Sequence, residues 1–457
     1  MKTKISRSIL YVLIPILIIF SSCEDFIEVD PPFNMINSDI VFNDERTAQA
    51  ALLNVYSKIR TSGFLSGSFE GAGCLLGCYT DELTSYDAIN TSFQDFYSLS
   101  LTSNHNTITN LWNTTYNQIY DINSVLEGLG KSNSLEPELI NQLKSEALFL
   151  RALLHFYLTN TYDAIPYVNT TDYQKNRNIG KESLSKIYLK CLEDLNIASE
   201  LISETFVKHR ASKFAIQALK ARIYLYSKKW EEAIFYATEV INSNQYTIEP
   251  IESRFLKDSK STIWHLQAAT TTANTSEATT YIFNTVPPSK VALTDSFVQG
   301  FKTDDSRKNT WIKQVDENYN YYHPFKYTQD LQTPLSQEYS IVLRIEEMYL
   351  IRMEALTNLG NKVEALQDLN FLREHNNQSF IEDIATIDMN EEIRYQRKYE
   401  FFTEFGHRFY DLKRWQLLND IMIVEKPNWQ TIYKTLPLPQ KEIQLNPQLL
   451  PQNEGYL

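Results

Sequence analysis

Cysteine is scarce: four in 457 residues, none in a CxxC pair. That excludes a disulfide framework and a thiolate zinc site. Basic charge is also in short supply, with 43 Lys and Arg against 56 Asp and Glu and a net charge of -13. A polyanion would meet net repulsion, and nucleic acid is not expected as a ligand. Glycine numbers only 12, against 28 Tyr, 24 Phe and 6 Trp, which rules out a linker-rich chain. Long hydrophobic runs are missing apart from Ile9–Phe20, whose twelve residues include Pro15. That run is too short for a membrane span, which needs about 20 residues of helix.

What is there begins as an address. Lys2, Lys4 and Arg7 precede the apolar run, and Ser21 and Ser22 lead into Cys23. This is signal-peptide layout, and small residues before a cysteine resemble the bacterial lipobox. Residues 1–22 are expected to be a lipoprotein signal peptide, Cys23 the lipidated residue, and 23–42 a tether in which Pro31–Pro32 holds the chain extended. Removing Lys2, Lys4 and Arg7 takes the net charge from -13 to -16. Acyl chains on Cys23 would hold an acidic body at a membrane surface.

The length allows about three domains or one large helical scaffold, and residues 43–457 read as mainly α. Leu139, Leu143, Ala147, Leu150, Leu154 and Leu158 recur at three- and four-residue spacings and lie on one helix face. Ala218, Ala221 and Tyr224, a break at 227–229, then Ala233, Ala237 and Val240 read as a helical hairpin close to the tetratricopeptide pattern. A second hairpin is expected around Gly360, and further helical stretches near 43–60, 110–128, 182–203 and 390–418. Two segments, 62–106 and 244–340, are polar, aromatic and without helical period. Prolines from Pro437 onward predict an extended tail.

Ordered strings then identify a family. CEDFIEVDPP at Cys23, LWNTTYNQIYDINSVLE at 111–127, SEALFLRALLHFYLTNTYDAIPYV at 145–168, DDSR at 304–307, RIEEMYLIRMEAL at 344–356, EFGHRFYDLKRW at 404–415 and the tail from Leu436 together resemble the SusD/RagB family. These are nutrient-uptake lipoproteins of the outer membrane. Gln396 stands where many members have Glu, and Phe405 interrupts the commoner Glu-Gly step before His407; both are read as variation in a structural helix. The resemblance implies that 43–457 is a single domain of four tetratricopeptide-like helix pairs with a less regular ligand-facing part. It also implies a lipid-anchored, surface-facing protein that delivers an oligosaccharide to a SusC-type TonB-dependent transporter. A peptide-binding RagB-like member and a scaffold without ligand are the alternatives.

Sugar rings need flat apolar faces, and their hydroxyls need amides or carboxylates. The first irregular segment offers Tyr79, Asp81, Glu82, Tyr86, Asn90, Phe93 and Tyr97, and the second Trp311, Asn318, Tyr319, Asn320, Tyr321 and Tyr322. The expected ligand-binding residues are Tyr79, Tyr86, Phe93, Tyr97, Trp311, Tyr319, Tyr321 and Tyr322. Asp81 and Glu82 are read as structural, as are His407, Arg408, Asp411 and Arg414. The seven histidines lack HExxH pairing, and GAGCLLG at 71–77 misses the dinucleotide fingerprint. No catalysis, metal or cofactor is expected.

Overall fold

A structural stripe of leucines needs a partner surface, and the chain supplies one by pairing its helices. The computed structural model describes residues 41–87, 92–203, 207–316 and 318–456. The expected signal peptide, Cys23, most of the tether and Asn90 lie outside them. Helix α1 (Glu45–Thr61) is capped by Asp44, whose carboxylate accepts from the Arg46 and Thr47 amides at 3.1 Å. Next come α2 (Ala72–Tyr79), β1 (Leu83–Ser85) and α3 (Ser92–Tyr97). The segment 62–106 was expected to be irregular, and here the structure differs. Every residue of α2 is buried, so its sequence is apolar all round and shows no amphipathic period.

Helix α4 (Asn106–Lys131) packs on α1, and α5 (Pro137–Tyr162) packs on α7 (Leu184–Leu201) across the single turn α6 (Tyr173–Asn176). The hairpin of α8 (Lys213–Tyr226) and α9 (Trp230–Ile241) follows. Ala218, Ala221, Ala233 and Ala237 are fully buried there, which lets the backbones approach, and Tyr224 stacks on Tyr236 at 5.4 Å and 4°.

The second irregular segment contains β2 (Thr262–Leu266), α10 (Ser276–Tyr281), β3 (Val291–Leu293), α11 (Asp295–Gln299), α12 (Arg307–Trp311), β4 (Ile312–Gln314), β5 (Tyr322–Pro324) and β6 (Ser340–Arg344). The strands form three two-stranded antiparallel ladders, β1–β3, β2–β6 and β4–β5. The fourth pair is α13 (Ile345–Asn358) with α14 (Lys362–His375), and α13 also packs on α9. Among the described residues four helix pairs are thus present, and the architecture is mainly α.

Helices α8, α13 and α14 end in the same turn. An amide reaches back over the last turn from Lys229 to Tyr224, from Asn361 to Leu356 and from Gln378 to Arg373, at 2.8–2.9 Å. The left-handed residue is Lys228, Gly360 or Asn377.

The stretch 390–418 is not one helix. It breaks between α15 (Met389–Glu400) and α16 (His407–Arg414), where Thr403, Phe405 and Gly406 have positive φ. A Cβ on Gly73 of α2 would meet the Thr403 carbonyl at 2.5 Å, so the helix sits directly on this turn. After α17 (Leu418–Glu425), the tail is not wholly extended either. Pro439 and Pro447 are eight residues apart and leave room for α18 (Gln440–Leu445), with Pro439 at its N-cap.

The family motifs are buried ion pairs. Arg222 makes a bidentate pair with Glu347 at 2.7 and 2.6 Å, and Asp411 binds Arg397 at 2.7 Å and Arg414 at 2.9 Å. Arg307 of DDSR binds Asp305, Glu400 and the Gln396 amide oxygen. Three carboxylates already surround this point, Asp305, Glu392 and Glu400. An amide at 396 adds no fourth charge, and its NH2 donates to Glu392 and Gln378.

Candidate functional site

The two irregular segments meet through their strands. Ladder β1–β3 pairs Leu83 with Leu293 and Ser85 with Val291, and the Tyr86 amide donates to the Lys290 carbonyl at 2.7 Å. Tyr86 therefore projects at the end of this ladder. Beside it, β4 and β5 pair Gln314 with Tyr322 and form a hairpin whose loop carries Tyr319 and Tyr321. The loop is pinned by the Asp316 carboxylate accepting from the Asn318 amide at 2.8 Å and by Gln314 donating to the Tyr319 carbonyl at 3.1 Å.

Three of the expected tyrosines come together here. Tyr86 meets Tyr321 edge-on at 5.5 Å and 84°, and Tyr321 lies nearly parallel to Tyr319 at 6.4 Å and 21°. Tyr86 is 38% exposed and Tyr319 52%. Partial burial pushes the Tyr86 phenol above its ordinary value, and Tyr321, Asp295 and Tyr97 act in the same direction, so all three lie within electrostatic reach. Next to the platform is a cleft of about 390 Å³, lined by Gln94, Tyr97, Asp295, Ser296, Glu425 and Asn428 among others. Its floor is held by Lys426, which donates to the carbonyls of Cys78 and Tyr97 and lies 4.3 Å from the centre of the Tyr97 ring. Burial lowers this amine to about 8.

The remaining expected residues lie elsewhere. Tyr79 is fully buried among Phe96, Phe409 and Trp429 and donates to the Tyr433 carbonyl at 2.9 Å. Phe93 is buried against Phe69. Trp311 is 1% exposed, with Phe255 on its edge and the Arg254 and Lys326 cations over its ring. These three present no face to a ligand, because each fills the core behind the site. Tyr322 is half-buried in the β4–β5 ladder. Asn318 and Asn320 are exposed on the same loop as Tyr319. Sequence reasoning missed Gln94, Asp295 and Asn428; only the Pro427–Asn428 turn dipeptide offered a local signal.

Beneath the cleft, Asp81 is gripped by Arg408 at 2.8 Å on both oxygens and by Lys398 at 3.0 Å. Burial opposes its charge, yet these cations hold it well below the usual carboxylate range. Glu82 is the opposite case. Burial and then the Asp81 charge push it up to about 8, one oxygen accepts from the Thr403 amide at 3.3 Å, and the other has no hydrogen bond. Cys74 and Cys78 are free thiols buried in α2. Among the described residues no group of three or more His, Cys, Asp or Glu could hold a metal. An exposed aromatic platform with amides and a carboxylate alongside is suited to binding a flat, hydroxylated molecule.

Comparison with known proteins covers nearly the whole chain. Residues 34–225 match the family model described as starch-binding and associating with the outer membrane, and residues 270–456 match that of the SusD family. The SusD-like protein P25 of Formosa agariphila is 23% identical, covering 99% of this chain and 100% of its own. A SusD superfamily protein from Bacteroides vulgatus superposes with a TM-score of 0.81 at 22% identity, over 91% of this chain and 100% of that one. A laminarin-binding SusD-like protein gives 0.74 at 21% identity, over 91% and 100%. The ordered motifs, the four helix pairs and these matches converge: the chain belongs to the SusD/RagB family.

Proposed function

We propose that this protein is a surface lipoprotein that captures a neutral oligosaccharide on the Tyr86–Tyr321–Tyr319 platform and passes it, without chemistry, to a SusC-type TonB-dependent barrel. The observation that carries the reading is the juxtaposition of those three rings from segments more than 200 residues apart in sequence, as the Tyr86–Tyr321 contact shows. Exposed rings would stack on the C–H faces of sugars, and Gln94, Asp295 and Asn428 in the adjoining cleft would bind hydroxyls. The matched family description, with its starch binding and outer-membrane association, and the laminarin-binding neighbour support this ligand class. Lipidation at Cys23 would keep the acidic body at the membrane.

The test is native electrophoresis through gels containing laminarin, amylopectin, xyloglucan or inulin. At least one polysaccharide should retard the wild type, and Tyr86→Ala/Tyr321→Ala should lose that retardation while keeping its circular dichroism spectrum. A wild type that no polysaccharide retards, but that gives heat with a peptide mixture in calorimetry, would replace the sugar with peptide. Palmitate label entering the wild type but not Cys23→Ala would confirm the anchor; equal labelling of both would remove it.

A further inference from the structure

A second groove lies on the helical scaffold and shares no lining residue with the platform cleft. It holds about 540 Å³, within the range of ligand sites. One wall is α4, which presents Trp112, Tyr116 and Tyr120 at four-residue intervals, with Asn113 and Asn117 beside them. The facing wall is the 166–179 segment with α6, and α18 closes the end.

We propose that this groove is a second oligosaccharide-binding site, engaging the same polymer as the platform; the inference rests on the sugar-binding reading above. Two of its aromatic rings are unusually open, Tyr120 at 51% and Tyr173 at 69% exposure. The side chains of Asn113, Asn117, Arg177 and Glu442 line it, and among the described residues they have no hydrogen-bond or ion-pair partner. Open rings and unpaired amides with one cation balanced by one carboxylate fit a neutral, hydroxylated chain. A polyanion would also be repelled by the net charge of -13.

The walls are already fixed, so binding would cost little ordering. Tyr116 donates to the Pro166 carbonyl at 2.8 Å, Asn123 to Val168 at 3.2 Å and Asn446 to Ile179 at 2.8 Å, tying α4 and the tail to the intervening segment. A peptide bound by strand addition would instead need a free strand edge. None borders the groove among the described residues, and the nearby Ile165–Glu182 bridge already exchanges both of its hydrogen bonds. Two sites on one polymer raise its apparent affinity through effective concentration, without new contacts at either.

Calorimetry and gel retardation on the purified protein, with laminarin, amylopectin, xyloglucan and inulin and their short oligosaccharides, provide the test. The variants are Tyr120→Ala/Tyr173→Ala in the groove, Tyr86→Ala/Tyr321→Ala on the platform, and the two combined. The groove variant should weaken polysaccharide binding about tenfold, reduce the short-oligosaccharide stoichiometry from two to one, and keep the wild-type fold, since both rings are exposed. The combined variant should bind nothing. A groove variant that binds as wild type, while the platform variant binds nothing, overturns the second site and leaves the proposed function intact. The reverse pattern upholds the groove and removes the platform. Failure of the wild type to bind any of the polysaccharides overturns both.

Discussion

Glu82 offers a sharp test of the electrostatics under the candidate cleft. Its side chain is almost fully enclosed, with one oxygen unpaired and Asp81 as its neighbour, and its carboxyl titrates near 8 instead of 4.5. Between those values the folded protein holds a proton that the unfolded chain has released. Stability contributed at this position therefore falls as pH rises through the window. Glu82→Gln removes the titration while keeping the shape. Relative to the wild type, the variant should gain about 1.4 kcal/mol per pH unit, and about 4 kcal/mol in all between pH 5 and pH 8. Asp81 does not confuse the comparison, because Arg408 and Lys398 keep it ionised throughout. The assay is urea unfolding of both proteins at pH 5, 6, 7 and 8, read by tryptophan fluorescence. A stability difference that stays constant over that range would show Glu82 ionised in the folded state, paired with the cations that hold Asp81.

Three further outcomes follow from the scaffold. Lys228 occupies the left-handed turn position that Gly360 fills in the other hairpin, so Lys228→Gly should stabilise by about 1 kcal/mol, measured by urea midpoint, whereas Gly360→Ala should destabilise. Glu347→Ala leaves Arg222 buried without its partner and should cost about 3–5 kcal/mol, most of it recovered in Arg222→Met/Glu347→Leu; thermal unfolding of the three proteins checks this. The His155 ring links the Arg151 carbonyl to the Val168 amide, and burial lowers its pKa to about 3. As pH drops below 6.5 the unfolded chain takes up a proton that the native ring refuses, so stability declines by about 1.4 kcal/mol per unit, and His155→Gln should show a shallower loss in melting temperature.

The helix pairs were legible because their signals are local. Small residues at Ala218, Ala221 and Ala233 and the break at 227–229 specify a hairpin within a few turns of chain. Helix α2 was not legible, since a segment buried on all sides has no stripe. The break at 401–406 was also hidden: Thr403 and Phe405 take left-handed conformations that their side chains disfavour, and the packing of α2 and of Gly406 against Leu76 imposes them. Motif charges such as Asp411 and Arg414, read as structural, are buried in ion pairs, and Asp81 and Glu82 are buried as well.

The candidate site divides in the same way. Composition alone marked both irregular segments as aromatic, but it could not separate Tyr86, Tyr319 and Tyr321 at the surface from Tyr79, Phe93 and Trp311 in the core. Aromatic side chains serve either purpose with the same chemistry, and without a strand or helix period there is no face to read. The sequence by itself determined the family, the helix pairs and the supply of rings and amides. Only the tertiary structure decided which rings stay in water, because exposure here depends on long-range pairing of β1 with β3 and β4 with β5, and no local window of the chain encodes that pairing.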